Sequence, residues 1–186
     1  MKNLKIDKSW TLFLDRDGVI NNKLEDDYVK KWEEFSFTNK AVESISKLSE
    51  IFYKIIIVTN QRGIAKGIMS ENELTVIHKK MVDEIVRKKG RIDKIYFCPD
   101  LSNDSDCRKP NPGMALKAKL EFPEIDFRKS FIVGDSISDM LFGKKLGMKC
   151  AFISENSNEE FLPNEHNDFQ FKSLFEFANK IILCHD

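Results

Sequence analysis

Short apolar runs alternate along this chain with segments of helical periodicity, and this alternation limits the folds that the chain can adopt. The runs are rich in Ile, Val and Phe, whereas the segments between them repeat apolar residues at helical spacing. Such alternation is typical of an α/β fold, a doubly wound, mostly parallel sheet with helices on both faces. The predicted strands are Thr11–Leu14, Lys54–Thr59, Lys94–Cys98, Ser130–Gly134, Lys149–Ile153 and Phe169–Phe171.

Capping residues predict where two of the helices begin. Ser70 and Glu73 have the spacing of a capping box, and an apolar face follows them. Asn111 before Pro112 indicates a cap followed by proline at the first helical position. His78 is predicted to lie on the polar side of the helix that Ser70 begins.

Size and charge limit the functions that are open to the chain. Its 186 residues are 41% apolar and 32% charged, and we expect one domain over residues 1–186. The formal net charge is zero, so neither a nucleic-acid nor a membrane partner is expected. No apolar run approaches the ~20 residues that span a bilayer, and the N-terminus lacks the apolar core of a secretory signal. We therefore expect a cytoplasmic monomer whose four scattered cysteines stay reduced.

Two carboxylates, Asp15 and Asp17, follow the first predicted strand directly, with Gly18 behind them. Because neighbouring acidic groups repel, one is expected to be pushed toward its protonated form, which would leave a nucleophile beside a general acid. Asp and Gly are also ordinary turn residues, so a simple turn is the alternative.

Further polar residues end other predicted strands. Thr59 and Asn60 follow the second strand and Asp135 follows the fourth. Because the carboxyl ends of parallel strands meet at one edge of a sheet, these groups are expected to converge with Asp15 and Asp17, at the place where such sheets bind ligands.

These motifs resemble those of the haloacid dehalogenase (HAD) superfamily of aspartyl-phosphate enzymes. The matching segments are Asp15–Gly18, Val58–Asn60, Lys109–Pro110 and Gly134–Asp139, and the resemblance runs from Thr11 to Ile153. It implies that Asp15 is the nucleophile, that Asp17 is the general acid and base, and that Thr59 and Lys109 hold the transferred phosphoryl group. It also implies Mg²⁺, bound by Asp15, the backbone carbonyl of Asp17 and Asp135, with Asp139 nearby.

Local sequence is similar to the subfamily of heptose bisphosphate and histidinol phosphatases, through Asp15–Asn21, Asn60–Gly67 and Cys107–Met114. The resemblance implies a small phosphorylated sugar as substrate, with loss of the 7-phosphate of a heptose 1,7-bisphosphate for surface-glycan synthesis. A histidinol phosphatase and a non-catalytic binding protein of the same fold are the alternatives. The spacing between motifs leaves no room for a cap domain. The implied substrate contacts are Asn60, Gln61, Arg62, Arg108, Lys109 and Asp26. Among them, Arg108 is also an implied catalytic residue, because its guanidinium would hold the phosphate.

The chain departs from the subfamily pattern in two places. The subfamily has a zinc loop, of which only Cys98 and Cys107 remain, because Asp100 and Ser105 replace the other ligands. Two thiolates with weak oxygen ligands make a poor zinc site, so no zinc is expected. Ser136 stands where heptose phosphatases commonly have a basic residue. Arg62 either supplies this charge or is a solvated surface arginine.

Overall fold

The computed structural model describes residues 4–24, 27–154 and 166–185. A parallel six-stranded sheet forms its centre, in the order β3-β2-β1-β4-β5-β6. The strands are β1 (Thr11–Leu14), β2 (Lys54–Asn60), β3 (Lys94–Cys98), β4 (Ser130–Gly134), β5 (Lys149–Ile153) and β6 (Phe169–Phe171). The helices are α1 (Ala41–Ile51), α2 (Glu71–Arg87), α3 (Gly113–Glu121), α4 (Ile137–Leu146) and α5 (Leu174–His185).

Both faces of the sheet are covered by helices, which confirms the predicted doubly wound fold. Leu12 and Leu14 of β1 pack into the core that α1, α2 and α5 cover, whereas Phe13 between them belongs to the core beneath α3 and α4. A strand that is buried on both faces has an almost continuous run of apolar residues. The sequence therefore predicts β1 and β2 directly.

The order of the strands positions the site. From β1 the chain proceeds outward through β2 to β3, and then returns to β4 on the other side of β1 before reaching β5 and β6. The strand order therefore reverses between β1 and β4, the point at which open α/β sheets bind ligands. Asp15 and Asp135 follow these two strands directly.

Capping explains most of the helix boundaries. Ser70 and Glu73 form the predicted capping box at the start of α2. The predicted start of α3 is wrong by one residue, since Pro112 occupies the cap position and makes no side-chain hydrogen bond there. The side chain of Asn111 instead donates to the backbone oxygens of Asn103 and Ser105, which fixes the preceding loop.

The connections between the motifs are short. Among the described residues, the chain between β1 and β2 forms a loop, a 3-10 turn at Trp32–Glu34 and α1, and only α2 and loops lie between β2 and β3. This agrees with the predicted absence of a cap domain. No helix within the described ranges is both long and apolar enough to cross a membrane.

Candidate active site

A cleft of about 300 Å³ opens at the carboxyl edge of the sheet, above the ends of β1, β2 and β4. Most of the side chains that the sequence assigned to the site line this cleft. They are Asp15, Asp17, Thr59, Asn60, Arg62, Arg108, Lys109 and Asp135. Gln61 is buried below the cleft instead, and Asp26 lies outside the described residues. We call Asp15, Lys109, Asp135 and Asp139 the floor of the cleft.

Lys109 ties the floor together. Its ammonium donates to Asp139 Oδ1 at 2.5 Å and to the backbone oxygen of Val58 at 2.8 Å, and lies 2.9 Å from Asp15 Oδ1. Burial alone would lower the pKa of Lys109, but the carboxylates of Asp139 and Asp15 raise it well above the ordinary value. Lys109 is therefore a fixed positive charge in the floor.

The floor carries more negative than positive charge. One carboxylate oxygen from each of Asp15, Asp135 and Asp139 lies within 4.8 Å of the other two. Burial, followed by repulsion from Asp139 and Asp135, raises the pKa of Asp15 to about 7, although Lys109 opposes the shift. A cluster of hard oxygen ligands with unbalanced charge suits Mg²⁺. The residues present therefore fit the metal that the sequence predicts.

Gly18 lets the loop after β1 reach the floor. Its φ of +84° is left-handed, and a Cβ at this position would collide with the Asp135 carboxylate. Glycine alone combines this backbone conformation with so close an approach. The turn that carries Asp17 is thereby held against the strand end that carries Asp135.

The environment of Asp17 is the opposite of that of Asp15. Its carboxylate accepts hydrogen bonds from Arg16, Asn21 and Gln61 at 2.7–3.2 Å. Burial would raise the pKa of Asp17, but the Arg16 charge and these donors lower it below the ordinary value. A neighbouring carboxylate does raise the pKa of Asp15, as expected, but that carboxylate is not Asp17. The repulsion comes from Asp139 and Asp135.

The residues at the end of β2 and directly after it support the site in different ways. Thr59 is buried with its hydroxyl accepting from Gln61 Nε2 at 2.9 Å. The Asn60 amide makes hydrogen bonds to both the N–H and the C=O of Lys109. Gln61 is predicted to contact substrate, but its side-chain amide donates hydrogen bonds to Asp17 and Thr59. Asn60 and Gln61 thus position the other groups.

We call Lys23, Arg62, Asn103 and Arg108 the mouth of the cleft. Asn103 Oδ1 accepts from Arg62 Nη2 at 3.1 Å and from Arg108 Nε at 3.3 Å, so one neutral amide holds two guanidinium groups. Burial and the nearby Arg62 charge both lower the pKa of Arg108. Arg62 Nε is buried and makes no hydrogen bond within the described part of the chain. Lys23 pairs with Asp135 at 3.1 Å while remaining 62% exposed.

The loop between Cys98 and Cys107, which the resemblance matched to a zinc loop, is closed by a disulfide. Cys98 at the end of β3 is bonded to Cys107, so the expectation that all cysteines stay reduced is wrong. The two sulfurs meet because the intervening loop folds back, with Asp100 and Ser105 beside them. Bonded sulfurs are not the thiolates that a metal needs. The absence of zinc stays a prediction.

The sequence analysis missed one buried contact. His78 on α2 is only 8% exposed, and its Nε2 lies 3.3 Å from Arg16 Nη1, so its placement on the polar side of the helix is wrong. Burial and the Arg16 charge lower the pKa of His78 to about 3, so the ring is neutral at physiological pH. Helical periodicity already places His78 on the apolar face, four residues after Leu74 and three before Met81. It could not identify Arg16 as the partner, because Arg16 lies in another element.

The fold and the floor together define a phosphatase of the HAD superfamily, and comparison with known proteins agrees. Residues 11–183 match the family described as polynucleotide kinase 3 phosphatase, and the chain belongs to this family. The D-glycero-alpha-D-manno-heptose-1,7-bisphosphate 7-phosphatase of Campylobacter jejuni is 38% identical over 174 residues, covering 92% of this chain and 95% of that protein. The protein of the same name from Photorhabdus laumondii is 36% identical over 177 residues, covering 91% and 94%.

A solved structure shows the same similarity. D,D-heptose 1,7-bisphosphate phosphatase from B. bronchiseptica, complexed with magnesium and phosphate, superposes with a TM-score of 0.84 and is 26% identical. The match covers 94% of this chain and 98% of that chain. The relatives include enzymes for both anomers, since a Pasteurella multocida protein named for the beta form is 38% identical over 149 residues, or 76% of this chain and 79% of that protein.

Proposed function

We propose that this chain is a Mg²⁺-dependent phosphatase that removes the 7-phosphate of a D-glycero-D-manno-heptose 1,7-bisphosphate in the synthesis of surface-glycan heptose. The names of its relatives and the magnesium and phosphate in the B. bronchiseptica structure support this assignment. The observation that carries it is the contact of Lys109 with Asp15 and Asp139 within one buried cluster, above which the cleft opens.

In this proposal, Asp15 is the nucleophile. Its carboxylate attacks phosphorus while the bond to the sugar oxygen breaks, and the proton of Asp17 goes to that oxygen. A water then attacks the phosphoryl-aspartate and gives its proton to Asp17, which releases phosphate and restores both carboxyl groups. Asp17 suits this exchange because 26% of its side chain is exposed to the cleft.

The remaining floor residues stabilise charge. Lys109 donates to the equatorial oxygens of the transferring group, and Thr59 is placed to do the same from the end of β2. Asp15, Asp135 and the backbone carbonyl of Asp17 would hold the Mg²⁺. When bound, the metal offsets the repulsion between the carboxylates and the substrate phosphate. A phosphate dianion beside Asp17 raises the pKa of that carboxyl and so favours its acid form.

The mouth supports a substrate with a second anionic group. Arg62 and Arg108 share the neutral Asn103 amide, and neither forms an ion pair with another of the described residues. Guanidinium groups bind phosphate in a bidentate manner, and a second phosphate would relieve the repulsion between them. We therefore assign Arg62 the role of the basic residue that Ser136 replaces.

The test compares phosphate release from several substrates, with Mg²⁺ and after its removal by chelation. The substrates are the alpha and beta heptose 1,7-bisphosphates, a heptose 7-phosphate, histidinol phosphate and a 3′-phosphorylated oligonucleotide. We expect Mg²⁺-dependent turnover that is most efficient on a bisphosphate, and none with Asp15→Asn. Preference for histidinol phosphate or for the oligonucleotide would contradict the substrate, and activity of Asp15→Asn would contradict the mechanism.

A further inference from the structure

His78 is a buried polar side chain that the mechanism above does not use. It lies on the buried face of α2, between Leu74 and Met81, which belong to the apolar core. Its ring faces Phe97 of β3, with the ring centres 6.3 Å apart. A histidine among apolar neighbours needs a polar partner, and here that partner is the side chain of Arg16.

Arg16 joins His78 to the catalytic residues. Its guanidinium is 1% exposed and donates through Nε and Nη2 to both oxygens of Asp17, at 2.7–3.2 Å. Its other terminal nitrogen, Nη1, lies 3.3 Å from His78 Nε2. Arginine can only donate, so the ring must accept at Nε2 and carry its proton on Nδ1. His78 therefore holds one end of a guanidinium group whose other end holds Asp17.

We propose that His78 is a positioning residue for phosphoryl transfer, which orients the guanidinium of Arg16 and, through it, the carboxyl group of Asp17. Gln61 and Asn21 contact the same carboxyl from other directions, but each offers only one N–H to it. The bidentate contact from Arg16 sets the plane of the carboxyl, and the contact with His78 sets the plane of the guanidinium. Misplacement of a reacting group by 1 Å can cost about 10²-fold in rate.

This inference rests on the proposed role of Asp17 as general acid, which gives the test its form. A sugar alkoxide needs a proton in order to leave, whereas p-nitrophenolate does not, so misplacement of Asp17 slows the first reaction selectively. The measurement is single-turnover release of the leaving group from a series of aryl phosphates and from an alkyl phosphate, together with kcat and KM. The holoenzyme with Mg²⁺ is used throughout.

We expect His78→Leu to lower release from the alkyl phosphate about tenfold or more, with less than about twofold effect on p-nitrophenyl phosphate and on KM. His78→Gln, whose Oε1 can reach Nη1, should restore most of the rate. His78→Asn keeps a polar side chain that is too short to reach, and should behave as His78→Leu does. His78→Asn therefore replaces His78→Leu in the test if the leucine variant does not fold.

Met81→Ala is the matched control, because it removes a buried apolar side chain of the same helix and keeps the hydrogen bonds of Arg16 to Asp17 and His78. It should lower Tm without changing the dependence on the leaving group. Equal slowing of all substrates by His78→Leu, or failure of His78→Gln to recover the alkyl rate, would overturn the proposal. If the rate loss in Asp17→Asn does not depend on the leaving group, the proposed mechanism itself fails. If the rate loss depends on the leaving group in Asp17→Asn but not in His78→Leu, only the role of His78 is overturned.

Discussion

The floor and the mouth of the cleft place charged groups only a few residues apart, but they hold them in different ways. Lys109 in the floor is 1% exposed, and its charge is compensated by two carboxylates. Asp15 directly follows the end of β1, and Asp139 lies in the first turn of α4. Arg62 and Arg108 at the mouth come from loops and face each other across a neutral amide. The floor is therefore a buried, charge-compensated cluster, whereas the mouth holds two cations that a neutral amide bridges.

This difference predicts that substitutions in the floor change both stability and chemistry, whereas substitutions at the mouth change substrate selection alone. The expected outcomes below test that separation.

The largest expected effect is that of Asp15→Asn on turnover. Removal of a covalent nucleophile costs on the order of 10⁴-fold or more, and we expect kcat to fall to background. The amide also removes one charge from a repelling cluster, so Tm at neutral pH should rise in the metal-free protein. Phosphate release and a thermal melt of the same sample measure both effects, and a large loss of Tm would show that Asp15 has a structural role.

Lys109→Met should be the most destabilising substitution. It leaves Asp139 buried without its cationic partner, and removal of one member of a buried ion pair costs about 3–5 kcal/mol. Denaturant unfolding measures this loss, with Lys144→Met as the control, because the Lys144–Asp168 pair is partly exposed. If both variants unfold at the same denaturant concentration, the floor is not the buried unit described above.

Reduction of the Cys98–Cys107 disulfide should have an intermediate effect. A loop of this length contributes about 2–3 kcal/mol through the entropy of the unfolded chain. The loop also contains Asn103, so KM for the bisphosphate should rise while kcat stays within about twofold. Cys107→Ser should reproduce both changes without a reductant. An unchanged KM in a reduced sample would show that the disulfide stabilises the fold but does not order the mouth.

Arg62→Ser should change selectivity and little else. We expect KM for the bisphosphate to rise about tenfold, which corresponds to about 1.4 kcal/mol of lost binding free energy. KM for a monophosphate substrate and the Tm of the protein should not change. Lys66→Ser, on the same loop but outside the lining of the cleft, is the matched control. Equal effects on the two substrates would mean that Arg62 does not contact the second phosphate.

The last expected effect is the contribution of Asp15 to the pH dependence of stability. Its pKa is about 7 in the metal-free folded protein and near 3.8 when unfolded, so the folded state binds the extra proton between these values. The free energy of unfolding should therefore fall as pH rises from about 4 to about 7. The difference between wild type and Asp15→Asn isolates this slope, and parallel curves would contradict it. Saturating Mg²⁺ should reduce the slope, because the metal favours the ionised carboxylate.

The sequence was sufficient for the residues whose role depends on their own strand or helix. β1 and β4 are apolar because both faces of the sheet are buried, so their ends, and with them Asp15 and Asp135, could be located from the sequence. The capping box at Ser70 is equally local, since its two partners are three residues apart.

Several contacts between distant elements were predicted wrongly or not at all. The contact of His78 with Arg16 spans 62 residues, and that of Gln61 with Asp17 spans 44. The same holds for Asn103, which no motif marked and which positions both mouth arginines.

The sequence by itself determined the α/β class, the strand ends and the candidate reacting groups, because periodicity and motifs are properties of neighbouring residues. Only the tertiary structure decided that Asp139 and Asp135, rather than Asp17, repel Asp15, and that Cys98 meets Cys107. Charge repulsion, hydrogen bonding and burial depend on distances in space, and packing of the sheet between its helices sets those distances.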